Sequence, residues 1–496
     1  MKCSIYFKNQ IKPKGCETST PCYNRGSFPY KNYGSFIMKS RLLLTLTLAT
    51  VMVAPFQATA FTQKSQPNIL VIISDDAGYS DFSFSGKANF NTPNIDRISQ
   101  QGVHFPQGYV SASVCSPSRA GLMTGRNQQR FGYFDNLPRK IPKIYSSEYA
   151  GLPESEITLA EALKDQGYKT AAIGKWHLGV GAKFHPNQQG FDYFYGIEAG
   201  MRSYWANTKG MGPTLENDKF VKDEGYFTDT LTNKAIDYIN KKRNKPFFLY
   251  LSYTAPHTPL HAKKEHLALF PEIKDKNRQA LAAMTYSLDE NIGRVLNTLN
   301  DSGIDKNTLI FFVNDNGGSE SNSVGNRPLT GFKGTVLEGG IRVPYAISWP
   351  GTIKAGQVID MPASSLDIFS TAMAAAGGEL SKDREYDGIN LLPVMTGESA
   401  EVERTLFWKR HSYAAVRQGD FKLIRLSDRP ALLFDVNNDP GERMDLSKKR
   451  PEKVKNMLKA LWAWEQKHQH PKWQTKEYYN NEYIRKIDKA FNQISH

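Results

Sequence analysis

Apolar runs and amphipathic stretches alternate along most of this chain. In "NILVIISDDAGY" the continuous run from Ile69 to Ile73 predicts a strand buried on both faces, with Asp75 and Asp76 just past its end. "TLAEALKDQGYKTAAIGKWHLG" opens with a capping-box pattern, Thr158 to Glu161, which predicts a helix to about Gly167. A short strand near Lys169 to Ile173 follows, and then Gly174-Lys175-Trp176-His177. "TDTLTNKAIDYINKK" has helical spacing and leads through the strand-like "KPFFLYLSY" into Ala255-Pro256-His257. A long helix near Arg278 to Leu299 precedes "TLIFFVNDNGG", a strand with Asp315 and Asn316 behind it. Helices alternating with near-continuous apolar strands predict an α/β fold, its mostly parallel sheet covered on both faces. In such sheets the ligand crevice opens at the carboxyl ends of the strands. Asp75, Asp76, Lys175, His177, His257, Asp315 and Asn316 all fall at that end.

Past Arg404 the period changes. "TLFWKR", "YAAVRQ", "FKLIRL" and "ALLFDV" are short alternating runs separated by turns, the pattern of an antiparallel sheet. Pro451 can start a helix whose apolar side includes Val454, Leu458 and Trp462. The reading is a catalytic domain over residues 61–403 and a smaller α+β subdomain, sheet plus helix, over 404–496. Asp96, Asp367 and Asp387 read as caps or turn residues.

The N-terminus carries a different signal. Met38 to Ala60 has a basic start (Lys39, Arg41), an apolar run from Leu42 to Ala54 and the small-residue site Ala58-Thr59-Ala60. That is the layout of a cleaved signal peptide, and its apolar run is well short of the roughly 20 residues that a membrane span needs. Residues 1–37 read as an over-extended start or a disordered leader. The expectation is an exported bacterial protein, periplasmic or secreted, with no membrane span after cleavage.

Export changes the meaning of charge and cysteine. The net charge is +14, of which the first sixty residues, with eight Lys or Arg and one Glu, carry half. The remaining excess suits an acidic substrate, or equally an ordinary basic surface; no nucleic-acid motif accompanies it. Of the four cysteines, Cys3, Cys16, Cys22 and Cys115, only the last survives cleavage. No intramolecular disulfide can then form, and a single retained cysteine in an exported chain invites a chemical explanation.

Cys115 opens "CSPSRAGLMTG", a stretch that can run helical with Pro117 in its first turn. The dipole there favours an anion, and Arg119 four residues on lies about one turn away. A buried structural cysteine is the bland alternative. C-x-P-x-R followed by A-x-x-x-T-G resembles the signature of the formylglycine-dependent (type I) sulfatases, in which the cysteine is oxidised to an aldehyde. "PNILVIISDDAGYSD", "TPNIDRIS", "YKTAAIGKWHLG", "APHTP", "NDNGG" and "GFKGTVLEGGIRVP" resemble further blocks of that family in the family's order. The resemblance implies an alkaline-phosphatase-like large mixed, mostly parallel sheet flanked by helices, with a smaller C-terminal domain. It also implies a formylglycine-generating maturation enzyme as partner. The matching metal ligands are Asp75, Asp76, Asp315 and Asn316. Cys115, Arg119, Lys175, His177, His257 and Lys333 match the nucleophile and the sulfate pocket. Three carboxylates and an amide form an all-oxygen set, which suits Ca²⁺.

The expected activity is removal of sulfate from a sulfated oligo- or polysaccharide. A formylglycine gem-diol derived from Cys115 would attack, Arg119, Lys175 and Lys333 would offset charge on the sulfuryl oxygens, and His257 with Lys333 would protonate the leaving alcohol. His177 would take the proton that releases sulfate. Specificity is expected in "GMRSYWANTKGMG", with Arg202, Tyr204 and Trp205, and at His261; an ordinary packed loop is the equal alternative. "RNQQRFGYFDN" resembles bacterial polysaccharide sulfatases, which points to carrageenan- or ulvan-type glycans first and host glycosaminoglycan second. The rival readings are a phosphate or phosphonate ester hydrolase on the same scaffold, and an inactive sulfated-glycan-binding protein with Cys115 unmodified.

Overall fold

The computed structural model describes residues 66–85, 88–138, 150–206, 213–323, 325–473 and 482–492. The leader and the signal peptide expected over 1–37 and 38–60 lie outside the described residues, as does the 207–212 part of the expected specificity segment. The first six strands are β1 (Asn68–Ser74), β2 (Gly102–His104), β3 (Gly108–Tyr109), β4 (Lys169–Lys175), β5 (Tyr193–Ile197) and β6 (Thr214–Glu216). They are followed by β7 (Lys219–Val221), β8 (Phe247–Ser252), β9 (Thr308–Asn314), β10 (Tyr345–Ser348), β11 (Gln357–Val358) and β12 (Ala363–Ser364). Among the described residues ten of these form one sheet in the order β11-β2-β10-β9-β1-β8-β4-β5-β6-β7. Its centre, β9-β1-β8-β4-β5, is parallel, and antiparallel strands flank it.

The unbroken apolar runs of the central strands follow from burial on both faces. Ile69, Val71 and Ile73 of β1 enter one hydrophobic core and Leu70 and Ile72 the other. The helix Lys276–Asp301 buries Leu281, Met284, Leu288, Ile292, Val295 and Leu299, a three-to-four-residue stripe, under the second face. Asp275 caps its start by accepting from the Arg278 N–H at 2.7 Å. The expected capping box forms, with Thr158 and Glu161 exchanging side-chain and backbone bonds at the head of the helix Leu159–Asp165.

Strands β13 (Thr405–Arg410), β14 (Tyr413–Gln418), β15 (Phe421–Arg425) and β16 (Leu432–Asp435) form an antiparallel meander. The helix Pro451–Glu465 covers it, and here the sequence reading needs correcting. Its buried face is Met457, Leu461 and Trp464, with Val454 and Leu458 at the margin, whereas Trp462 is 53% exposed. A row spaced 4 and 3 residues apart holds one helix face; Trp462, next to Leu461, is rotated about 100° out of it. Asp96, Asp367 and Asp387 do take structural roles. For example, Asp367 heads the helix Asp367–Ala375, accepts from the Ser364 N–H at 2.7 Å and pairs with Arg404.

A buried ionic cluster joins this meander to β3, which pairs with β12 in a separate two-stranded sheet, and to the short helix Glu338–Ile341. Lys422 of β15, fully buried, lies 2.9 Å from both Glu338 and Glu442. Tyr109 of β3 donates to Glu338 at 2.6 Å, and Arg417 of β14 bonds Tyr109. Burial raises the Glu442 carboxyl, Lys422 pulls it back, and Glu338 pushes it up again, leaving it at about 7. Glu442 therefore takes up a proton on folding. Its contribution to stability is complete below the ordinary carboxyl range and is lost as pH rises through about 7. Glu442→Gln is expected to flatten the decline of the unfolding midpoint between about pH 5 and 8, read by thermal melts across that range.

Candidate active site

Register delivers the acidic residues to one spot. Ser74 of β1 is paired with Asn314 of β9, so Asp75 and Asp315 emerge side by side. The Asp315 N–H closes the ladder on Ser74 O at 3.1 Å, and the Asp75 N–H bonds Ala255 O at 3.0 Å. Asn314 pins the two loops together, accepting from the Ala77 N–H at 3.3 Å and donating to Ala77 O at 2.8 Å. Lys175 ends β4, beside the Gly174–Ser252 pair with β8, and His257 follows β8.

Cys115 is the first residue of the helix Cys115–Thr124 and is buried. Its thiol faces Asp75 Oδ1 at 3.8 Å and Asp76 Oδ1 at 3.9 Å, and Lys333 Nζ donates to Sγ at 3.1 Å. Burial pushes the thiol up to about 12, with Asp315 adding to the rise and Lys175 and Lys333 opposing it. The helix N-terminus is not enough to ionise it. A free thiol here stays protonated at neutral pH, and Sγ marks where a different atom at position 115 would react.

Cations and carboxylates are interleaved around that point. Lys333 Nζ reaches Asp76 at 2.6 and 2.7 Å, and Lys175 Nζ reaches Asp75 at 2.7 Å. Burial alone would raise Asp76, but Lys333, His257 and Lys175 hold it well below the usual carboxylate range. Asp75 goes the other way: burial and its neighbour Asp315 raise it. Arg119 Nε donates to Asp315 at 3.0 Å, and Nη1 to Lys175 O at 3.1 Å and to Ser252 Oγ. Arg119 thus also holds protein groups, with Nη2 2.8 Å from Asp315, an arrangement the helix spacing did not reveal.

Two carboxylates of the expected oxygen set, Asp75 and Asp76, meet beside the thiol and an imidazole, and carboxylate oxygens suit a hard cation. Ligand-capable atoms of Asp75, Asp76, Cys115 and His257 lie within 4.8 Å of one another. Asn316 Nδ2 donates to Asp76 Oδ1 at 2.8 Å, while its Oδ1 is buried without a hydrogen-bond partner. A half-turn of that amide would present an oxygen beside the Asp76 carboxylate, as a shared cation requires.

The two histidines differ. His257 faces Thr258 O through Nδ1 at 2.6 Å and Asp76 through Nε2 at 3.4 Å. His177 is held well below the ordinary imidazole value by burial first and by Lys175 and Arg119 next, and its Nδ1 is buried without a partner. A neutral imidazole can take a proton; an imidazole held between Thr258 O and the Asp76 carboxylate suits the giving of one.

Residues 67–378 match the family described as Sulfatase, and residues 332–469 match N-sulphoglucosamine sulphohydrolase, C-terminal. The chain belongs to the sulfatase family. It is a sulfuric ester hydrolase. Among the relatives of this sulfatase, mouse (Mus musculus) N-acetylgalactosamine-6-sulfatase is 34% identical over 377 residues, covering 72% of this chain and 71% of that one. The human (Homo sapiens) enzyme of that name is 32% identical, covering 77% and 81%. The solved structure of Ps i-CgsB in complex with k-i-k-neocarrahexaose is 34% identical, with a TM-score of 0.78 over 87% of this chain and 99% of that one.

Of the four residues expected to read substrate, the fold turns two inward. Arg202 is buried, pairs with Asp223 at 2.9 Å and lies over the Phe227 ring at 4.1 Å. Tyr204 is buried, and its hydroxyl shares its one proton between Thr254 O and, at 2.9 Å, His257 O, so it steadies the histidine loop of the sulfatase. Trp205 is 41% exposed and leans on Tyr226 at 5.0 Å, and His261 Nδ1 meets Ser203 Oγ at 3.1 Å. The sequence reading missed Ser252, whose type is too common in core strands to stand out, and it gave Tyr204 to the substrate and not to the His257 loop.

Proposed function

We propose that this sulfatase removes sulfate from a sulfated carbohydrate, a carrageenan-type galactan oligosaccharide in the first instance, through a formylglycine made from Cys115 and a Ca²⁺ held by Asp75, Asp76, Asp315 and Asn316. The observation that carries the reading is the meeting of Cys115, Lys333 and Asp76 within hydrogen-bonding range at the strand ends. The substrate class is supported by the two relatives at 34% identity, one named for a galactosamine sulfate and one holding a carrageenan oligosaccharide.

The hydrated aldehyde supplies two geminal hydroxyls at position 115, one to attack sulfur and one whose proton loss lets the aldehyde re-form. Ca²⁺ held by Asp75, Asp76, Asp315 and Asn316 would supply charge that lowers the pKa of the attacking hydroxyl towards neutrality, so that it would lose its proton to solvent before attack. The other groups are the chain's own. Lys333 and Lys175, both pushed upward in pKa by their carboxylate neighbours against the opposing effect of burial, stay charged and stabilise the sulfuryl oxygens as charge develops. Arg119 orients Asp315 and the Lys175 backbone. A protonated His257 donates from Nε2 to the leaving alcohol oxygen, its Nδ1–H anchored on Thr258 O. His177, neutral, accepts the proton of the second hydroxyl. Trp205, which is 41% exposed, and His261 are the residues proposed to meet the sugar.

Residues 61–403 are proposed as the catalytic domain and 404–496 as the C-terminal subdomain, which the onset of the meander at Thr405 supports. Export through residues 38–60 and maturation by a formylglycine-generating enzyme complete the proposal. No helix of the described residues is long and apolar enough to cross a membrane.

Two measurements test it. Sulfate release from carrageenan, ulvan, fucoidan and heparan oligosaccharides should single out the carrageenan; release only from heparan would overturn the substrate class. Chelation by EGTA should lower the unfolding midpoint and abolish turnover, with Ca²⁺ restoring both, because a ligand at 100 times its Kd adds about 2.7 kcal/mol to the native state. An Asp315→Ala variant should show no Ca²⁺-dependent shift.

A further inference from the structure

We infer that Ser116, the residue after the nucleophile, is a positioning residue for His177, and that it does so through a directed hydrogen-bond relay from Tyr133. The inference rests on the proposed role of His177 as proton acceptor.

His177 has an unusual backbone. It sits two residues past β4 with φ +58°, the left-handed region that a non-glycine residue enters at a cost and keeps only when its surroundings hold it there. Two bonds grip its main chain. Its N–H donates to Glu198 O at 3.1 Å, and its carbonyl accepts from Ser116 Oγ at 2.6 Å. The ring is held differently. Nδ1 has no partner among the described residues, and a Cβ on Gly200 would lie 2.6 Å from Nε2, so Gly200 walls the ring without bonding it. The aim of the imidazole is therefore set by its backbone.

The direction of the relay is fixed by proton count. Ser116 Oγ lies 2.5 Å from Tyr133 Oη as well as 2.6 Å from the His177 carbonyl, which can only accept. A serine hydroxyl has one proton. Ser116 gives it to His177 O, so Tyr133 must donate to Ser116. Burial raises the Tyr133 phenol, partly offset by Ser116, and keeps it a donor at any working pH. Tyr133 is set edge-on against Trp473 at 4.5 Å, and Trp473 Nε1 donates to Asn136 O at 3.0 Å. Asn136 Oδ1 in turn accepts the Ser116 N–H at 3.0 Å, capping a helix whose own N-cap residue, Val114, makes no side-chain cap bond. Both polar groups of Ser116 are thus committed, and one residue ties the nucleophile's helix to the backbone of the proton acceptor.

The test is a double-mutant cycle with activity expressed per mole of formylglycine, counted by peptide mass because Ser116 lies inside the maturation signature. Ser116→Ala should lower kcat by about 10- to 100-fold with KM within about twofold, the range of a displaced general base. Ser116→Thr, which keeps the hydroxyl, should recover most of it. In a His177→Ala background Ser116→Ala should change kcat by less than about twofold. A crystal structure of Ser116→Ala should show His177 out of the left-handed region. Full activity in Ser116→Ala, or the same loss in both backgrounds, overturns the inference. A wild-type rate in His177→Ala instead overturns the catalytic reading beneath it. If Ser116→Ala does not fold, Tyr133→Phe, which removes one oxygen and keeps the ring, should give the same non-additive pattern at about threefold; additivity there overturns the inference equally.

Discussion

Replacing Cys115 with alanine is expected to lower the rate of sulfate release by at least about 10⁴-fold, to the level left by binding and electrostatics alone. The loss should be chemical and not structural. Cys115 starts a helix in which alanine is the favoured residue, and Sγ makes only two long contacts to carboxylates and one to Lys333. Circular dichroism and the unfolding midpoint should stay close to wild type. With burial pushing the thiol up to about 12, unmodified cysteine at this position supplies almost no thiolate at neutral pH. An unmodified wild-type chain should then behave like the alanine variant. Comparing the two by steady-state sulfate release checks both statements at once.

The largest expected loss of stability lies far from the nucleophile. Lys422→Met should destabilise the fold by about 3–5 kcal/mol, measured by denaturant unfolding, because it leaves carboxylates buried without their cation. Lys422 is fully buried between Glu338 and Glu442, each 2.9 Å away. Glu338 is kept ionised against its burial chiefly by Lys422, with Arg342 and Arg417 assisting. Combining Lys422→Met with Glu442→Gln should recover little of the loss at neutral pH, since Glu442, already raised to about 7 beside Lys422, takes up a proton once that cation is gone and Glu338 is the charge left stranded. Glu338 begins the short helix Glu338–Ile341, five residues past Lys333, so the double variant also reports how far this cluster steadies the Lys333 loop.

Which features could be read from sequence follows from how locally each is encoded. The central strands announce themselves because burial on both faces requires unbroken apolar runs, and the parallel pattern then places Asp75, Asp315, Lys175 and His257 at one end. The meander from Thr405 was legible from its alternation, and the capping box at Thr158 from two residues. The family-like block "GFKGTVLEGGIRVP" supplied Lys333, which no local periodicity would have singled out. Inward or outward orientation in loops was not legible. Arg202 finds its partner Asp223 across 21 residues, and nothing in "GMRSYWANTKGMG" distinguishes a guanidinium that reads sulfate from one that closes a loop. The same limit hid the ionic cluster, where Glu338 and Glu442 are separated by 104 residues. Arg119 falls between these cases. Its spacing from Cys115 predicted the helical turn, but only the register of β1 with β9 shows that its acceptor is Asp315.

The most direct test of the central claim is to prepare the sulfatase with graded conversion of residue 115, from none to complete, by varying co-production of a formylglycine-generating enzyme. Aldehyde content is counted by peptide mass and sulfate release from carrageenan oligosaccharides is measured on each preparation. A rate proportional to aldehyde content, extrapolating to zero with unmodified cysteine, is expected. A rate independent of conversion would contradict it.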